Sequence, residues 1–596
     1  MNVKIRSFAK FVFVMLLMLR SVGQLHGQET IFRHVPKGAS NSYVEIVSMF
    51  SVSPSHGYLP VRMYVANSSP VAQRVVVSFK SQSQSYRGED ALSSKSQFEL
   101  SVDAESNATR EILVPLKPFG AIQFSPNTGI EVKLTGSMGT LETRFDAMLD
   151  RTDFPVVLMS EALHTPNSGK LTDEMNRTIS SSGRYGSSPQ FAAKFDPKMM
   201  PTQWQGLSGV DVIMLSDGDW LAMESASRLA TEQWLRLGGH LVIFHQTSPE
   251  PSLVKLASDA GFGRVTMQTL QADFLLDPAA TLQLLSSKDG EGNYLTASIM
   301  SDFADSWPLY ETAEKKPFYY TLYVVILIAF AVFIGPLNVY RFAKNEQRYR
   351  LFYTIPLISL AFTILLGLIV LFQDGVGGSG ARRVLMEIRP NDGEHVALMH
   401  QEQFCQTGLL TQSKFALDSA TIYPVAIAAT RWSRFTQSNA ESGAYDIEQE
   451  NEHVFAKGDW FKSRSAHGHL LTAVVPTRGR IEKNSGAQTF VSTFNFPIRW
   501  MLLEDGGKFF LAENIKTGVS FSAREIDEFT YRANIHESCV TMNRRHAAMI
   551  KQATQRKNAF IAMTDQGPAI ESLAQIRWKS TESIITGPWI AGEQVP

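Results

Sequence analysis

Cysteine is nearly missing from this chain. Its 596 residues hold only Cys405 and Cys539, so one disulfide is the most it can form. Excess charge of either sign is missing as well, because 56 Lys and Arg against 57 Asp and Glu leave a formal −1. That removes the electrostatic case for a nucleic-acid partner. No G-x-x-x-x-G-K-[ST] loop is present and no G-x-S-x-G elbow follows a strand. The one G-x-G-x-x-G string, Gly375–Gly380, comes before a strand where a phosphate-binding turn needs a helix, so it reads as a linker and not as a nucleotide site. Internal repeats and long low-complexity tracts are absent too.

Charge is also lacking, with more consequence, from two long apolar runs. Phe318–Tyr340 and Phe352–Phe372 contain no Asp, Glu, Lys or Arg. Each is long enough to cross a hydrocarbon core of roughly 30 Å as a helix. The link between them carries Arg341, Lys344, Arg348 and Arg350 against Glu346 alone, and basic short loops stay on the cytoplasmic side. The reading is a transmembrane hairpin (318–340 and 352–372) with the chain on both sides of it outside the cytoplasm. The competing reading is a buried helical hairpin of a soluble core. Within the first run, Pro336 removes a helical hydrogen bond, and Asn338 is a candidate contact for a partner's helices.

The N-terminus fits a secretory signal over residues 1–23. Lys4, Arg6 and Lys10 precede the apolar Phe11–Leu19, and Ser21-Val22-Gly23 offers a cleavage site. From residue 40 to 150 short alternating runs such as Tyr43–Val47, Leu59–Val65 and Arg74–Phe79 predict an antiparallel β-sandwich. At Phe154 the pattern changes to strands alternating with helices, a parallel doubly wound α/β layout over 153–275. Its expected strands are Pro155–Met159, Gln190–Phe195, Val210–Leu215 and Leu241–Phe244, with helices at Lys170–Ile179, Ala222–Leu237 and Ser252–Ala260. Residues 381–596 predict a β-rich extracytoplasmic domain with helical additions at Ser522–Arg532 and Arg544–Lys557.

The run Leu207–His245 (LSGVDVIMLSDGDWLAMESASRLATEQWLRLGGHLVIFH), with Gly335–Asn338 (GPLN) in the first apolar run, resembles the class I glutamine amidotransferase-like, flavodoxin-like domains of bacterial membrane proteins. The resemblance implies a multidomain membrane protein: β-sandwich, flavodoxin-like α/β domain, two-helix hairpin and β-rich C-terminal domain. Catalytic members carry a Cys on the turn after a central strand, with a His in reach. Here that turn reads His245-Gln246-Thr247 and the domain has no Cys, so the nucleophile is gone.

What remains at the carboxyl ends of the strands is Glu161, Asp217, Asp219 and His245, where doubly wound sheets bind ligands. These side chains suit a cation or a polar ligand. Equally, Asp-Gly-Asp after a strand is ordinary turn and N-cap chemistry. His467 and His469 share a strand face at metal-compatible spacing, against the alternative of a solvated face. Cys405 and Cys539 are a disulfide candidate, or two buried thiols. The sequence points to no cofactor and no catalytic residue. It leads to the expectation of a non-enzymatic scaffold or binding subunit of a cell-envelope complex in the cytoplasmic membrane, with the lipid bilayer and other envelope membrane proteins as partners. The alternatives are an accessory subunit of a transporter, or a hydrolase or metal-dependent site at those strand ends.

Overall fold

The computed structural model describes residues 29–38, 41–54, 56–84, 90–116, 129–145, 154–180, 190–271, 273–285, 294–295, 298, 303, 307–313, 320–342, 348–391, 394–425, 436–437, 443–450, 453–484 and 489–591. The expected signal segment lies outside them.

Alternating sequence near the N-terminus builds two facing sheets. One runs Glu29–His34, Tyr43–Ser48, Tyr58–Asn67, Ser106–Pro115 in space. In it Val44 lies opposite Val65 and Ile46 opposite Met63, so the apolar member of each pair points to one side. The other sheet contains Gln73–Gln84, Asp90–Val102, Gly129–Gly136 and Leu141–Phe145. Its Val77, Phe79, Phe98, Val132 and Leu134 share one buried core with Val44, Ile46, Val61 and Met63. The sandwich read from the sequence is therefore present, but it does not end at residue 150. Its second sheet continues through Gly443–Glu450, His453–Gly458 and Phe415–Ala416. Gly443–Glu450 lies parallel to Asp90–Val102, with Tyr445 opposite Ser94 and Ile447 opposite Ser96. A boundary that assigns 381–596 to a module of its own divides a sheet that the fold joins.

The middle of the chain forms a five-stranded, fully parallel sheet in the spatial order Ala193–Phe195, Val157–Ser160, Val212–Ser216, His240–His245, Arg264–Thr269. Val212–Ser216 is buried at every position, as a strand covered on both faces must be. Arg264–Thr269 was not expected. As the edge strand it is only half-covered, and its mixed sequence RVTMQT lacks an apolar run. The expected helix Ala222–Leu237 divides into Asp217–Ala222 and Ser225–Arg236, because Met223 and Glu224 are extended.

After the hairpin the chain forms a ten-stranded mixed sheet. Its main path runs Ala420–Val425, Ser465–Thr477, Glu394–Thr407, Gly378–Asn391, Ile576–Pro588, Ala559–Thr564, Ile498–Asp505, Lys508–Ile515, Arg524–Ile526. Val384, Met386, Met501, Leu503 and Ile585 face one core, while Leu385, Leu502 and Ile584 face another. Helices Glu528–Val540 and Arg544–Ala553 cover the second face, each started by a side-chain cap, Asp527 and Asn543. The second helix also reaches the α/β sheet, where Gln552 Nε2 donates to the Gly263 carbonyl at 2.9 Å.

Helices Tyr320–Arg341 and Arg348–Gln373, of 22 and 26 residues, are long and apolar enough to cross a membrane. Only 11% of the most apolar stretch of the first and none of that of the second is buried, so neither has the cover that a core helix of this fold would have. Leu327, Ile328, Phe352 and Leu357 turn outward uncovered. The pair is pinned to itself by Phe330 against Phe362 at 5.3 Å between rings, and by Tyr323 Oη donating to Gln373 Oε1 at 2.7 Å. Pro336 sits in a π-helical turn, Phe333–Leu337, as a residue without an N–H inside a helix favours. Gly375 ends the second helix at φ +72°, a left-handed conformation that glycine adopts without a side-chain penalty.

Candidate functional site

The strand ends named from the sequence are occupied with holding the fold. Asp219 Oδ2 accepts from Ser160 Oγ at 2.6 Å, Ser216 Oγ at 2.8 Å and the Ser216 amide at 3.0 Å. Its own amide donates back to Ser216 Oγ at 3.1 Å, completing a capping box that ties the ends of two neighbouring strands. Asp217 accepts only from the adjacent Gly218 amide. Glu161 pairs with Lys194 at 3.4 Å, and His245 Nδ1 bonds the Thr247 carbonyl at 2.6 Å. No group of three metal-capable side chains occurs among the described residues, so these four do not converge. The N-cap alternative accounts for Asp219.

The disulfide is corrected. Cys405 and Cys539 are both free and buried, in separate cores on opposite faces of the large sheet. Burial pushes both thiols up from their ordinary value. His467 and His469 do share a face, stacked at 6.0 Å, yet that face is buried and not solvated. His469 Nε2 donates to the Trp460 carbonyl at 2.8 Å, which leaves Nδ1 to accept from Gln403 at 3.3 Å. Burial lowers His467 to about 4 and His469 to about 3, so both are neutral.

A different polar site was missed. It lies at the opposite, amino end of the parallel sheet, where the large sheet packs against it. Its signal is the run His400-Gln401-Glu402-Gln403 between the apolar Val396–Met399 and Phe404–Cys405 of one strand, four polar residues that are all buried. Gln401 and Gln403 face one side, where Gln401 exchanges hydrogen bonds of 2.9 and 2.8 Å with Ile570. His400 and Glu402 face the other. Glu402 is fully buried and accepts from Trp307 Nε1 at 2.6 Å, His546 Nδ1 at 2.8 Å and the Asn543 amide at 3.2 Å. Burial alone would raise its pKa, but the bonds and charge of His546, with the bonds from Trp307 and Asn543, bring it below the ordinary carboxylate value. His400 lies between Phe262, which meets it edge-on at 5.8 Å, and His546, tilted to it at 5.6 Å. Burial, then the charges of Arg545 and His546, hold His400 well below its ordinary value, so it is neutral.

Beside this cluster the parallel sheet and the Arg544–Ala553 helix border a partly open cavity of about 170 Å³, lined in part by Gly238, His240, Phe262, Arg264, Arg545 and Met549. A smaller space of about 40 Å³ shares Gly238, Gly239 and Arg545 with it and reaches Ser208, Asp211 and His400. Gly238 stands at φ +106°, and a Cβ there would lie 2.8 Å from Arg545 Nη2 and 2.7 Å from Met549 Cε. Glycine at 238 therefore lets the Arg544–Ala553 helix approach the sheet. Ion pairs also join the α/β domain to the large sheet: Asp259 meets Arg236 at 3.1 Å and also Arg389, while Glu387 meets Arg389 at 2.5 Å and also Arg556.

No protein-family model and no characterised protein matches the chain. Among solved structures, an alkylpurine DNA glycosylase of Pseudomonas fluorescens is similar at 15% identity over 17% of this chain and 30% of its own, with a TM-score of 0.13. A β-glucuronidase of Bacteroides uniformis is similar at 13% identity over 38% of this chain and 26% of its own, with a TM-score of 0.15. A glycosyl hydrolase family 2 member of Bacteroides cellulosilyticus reaches 8% identity, 81% of this chain and 74% of its own, at a TM-score of 0.18. The chain thus spans under a third of the length of the first two, and scores this low leave its fold and chemistry to be argued from its own residues.

Proposed function

We propose that this protein is a membrane-anchored, non-enzymatic scaffold or binding subunit of a bacterial cell-envelope complex. One observation carries the reading: Gly443–Glu450, after the two apolar helices, pairs with Asp90–Val102, before them. Strands cannot exchange hydrogen bonds through a bilayer, so both halves of the chain stand on one face of it. Trp307 with Glu402 and Asp259 with Arg389 join the same halves. Arg341, Arg348 and Arg350 at the turn of the hairpin favour the cytoplasm for that turn, and hence the outer face for the folded mass. The parallel sheet has its strands in the order 2-1-3-4-5 along the chain, the flavodoxin-like order. That supports the likeness to glutamine amidotransferase-like domains, without the Cys that catalytic members use. Recovery from mild detergent with bound membrane proteins tests the reading. The double variant Asp217→Asn, His245→Ala is expected to bring down the same partners with unchanged Tm; lost partners at unchanged Tm would return the function to the strand ends.

A second reading, an accessory subunit packing on a larger permease, rests on Asn338. Neither its Oδ1 nor its Nδ2 has a hydrogen-bond partner among the described residues, and because the hairpin covers it wholly, a partner's helix bonds it only by displacing the side chains around it. A polar side chain at membrane depth commonly bonds across helices. If Asn338 serves a partner's helix, Asn338→Leu lowers partner recovery at unchanged Tm. If it serves nothing, the same change relieves an unpaired amide and raises Tm by a few degrees.

A further inference from the structure

We propose that the cavity between the parallel sheet and the Arg544–Ala553 helix is a binding site for a small organic anion, a carboxylate of about benzoate size. The inference is independent of the scaffold reading. Size comes first: about 170 Å³ is ample for such a body, since an apolar protein cavity of roughly 150 Å³ holds benzene. Its walls are mixed in the way ligand sites are, with Phe262 and Met549 apolar and a few polar groups converging.

Charge decides the ligand's sign. Arg264 and Arg545 line the cavity, and no Asp or Glu does so among the described residues. Arg264 is held in place rather than left to swing. Its Nη2 donates to the Leu284 carbonyl at 3.0 Å, and its Nε and Nη2 each lie 3.2 Å from a nitrogen of His240. His240 itself is fixed by Thr266 Oγ1 at 2.9 Å. Burial, then the charge of Arg264, lowers His240 to about 3, so it stays neutral and adds no competing charge. Tyr294 Oη donates to the Leu285 carbonyl at 3.1 Å, which leaves its oxygen fixed beside the same guanidinium. A pre-placed guanidinium with an apolar floor recognises a planar carboxylate on a hydrocarbon body.

A second observation points into the same space. Where the cavity continues past Arg545, His400 Nε2 and Ser208 Oγ are buried with no hydrogen-bond partner among the described residues. Buried polar atoms are almost always paired, so two orphans on one small void mark groups awaiting a ligand atom or the water it carries. Asp211, also on that smaller space, accepts from the Val156 amide at 2.9 Å. The anionic end of a ligand therefore belongs on the Arg264 side.

The test uses the full-length protein in detergent, with benzoate, benzyl alcohol and inorganic phosphate as probes in thermal unfolding and calorimetry. Benzoate is expected to raise Tm and titrate to saturation, with benzyl alcohol and phosphate at least tenfold weaker. Arg264→Gln should fold at a Tm lower by a few degrees, for the lost Leu284 and His240 contacts, and weaken benzoate at least tenfold, and Arg264→Lys should restore part of the affinity. Equal shifts with benzyl alcohol would overturn recognition of charge. Equal shifts with phosphate would overturn the organic body, and no shift with benzoate would overturn the site. Partner recovery, measured on the same variants, reports separately on the scaffold reading.

Discussion

Replacing Glu402 by leucine is expected to destabilise the folded protein by roughly 3–5 kcal/mol, the cost of leaving its three buried donors without an acceptor. The carboxylate accepts from two side-chain donors of the junction, Trp307 Nε1 and His546 Nδ1, and it also takes the Asn543 amide. Leucine fills much of the volume but leaves three buried N–H groups without an acceptor, each worth about 1–3 kcal/mol. Glutamine keeps the shape and one acceptor oxygen, yet turns its own NH₂ toward a donor, so Glu402→Gln should lie between leucine and wild type. Urea unfolding in detergent gives the order, and Trp307 supplies a fluorescence signal at the site itself. Since net stabilities of folded domains run to about 5–15 kcal/mol, the leucine variant should lose a large share of its margin. A loss under 1 kcal/mol would mean that the junction is wetter and looser than its geometry states.

Acid should unfold the protein well above the pH at which carboxylates titrate. His56 and His467 are lowered to about 4, and His240 and His469 to about 3, in each case chiefly by burial. The sign follows from where protons bind. An unfolded chain takes up a proton at each of these sites near pH 6.5, whereas the folded chain refuses it until pH 3–4. Stability from these groups is therefore complete above pH 6.5 and is lost as pH falls toward 4. Each site loses about 1.4 kcal/mol per pH unit in that window, so by pH 5 each has cost roughly 2 kcal/mol and the four together on the order of 6–8. The expected result is a steep fall in Tm between pH 7 and pH 5. A Tm that holds to pH 5 would show these imidazoles to be accessible or paired with acids.

Legibility tracked how far each segment's partners lay along the chain. The sandwich strands alternate because one face of each is dry, so their sequence states their role locally. The two long apolar helices were plain for the same reason, since a charge-free run of more than about twenty residues marks itself without a distant partner. Arg264–Thr269 was hidden because an edge strand carries half a core's worth of apolar residues. Gly443–Glu450 (GAYDIEQE) was not read as a strand, because its polar sequence shows only a weak alternation. Its pairing with Asp90–Val102 is a contact between residues more than three hundred positions apart, and no local pattern encodes it. The site shows the same contrast. Asp219 looked like a ligand or a cap, and Ser160, from a neighbouring strand, decides it as part of a cap. His400 and Glu402 did leave a mark, polar residues interrupting an apolar strand, but their meaning came from Trp307 and His546 on other elements.

Reporter topology bears most directly on the central claim that the two apolar helices are a hairpin with the rest of the chain on one face. A reporter that is active only outside the cytoplasm, fused after Pro596 and, separately, inserted at the Glu105 turn of the sandwich, reads the two halves independently. Activity is predicted at both positions, with a third insertion near Arg348 silent. Opposite results for Pro596 and Glu105 would contradict the shared sheet itself, while silence at both with activity at Arg348 would invert the anchor.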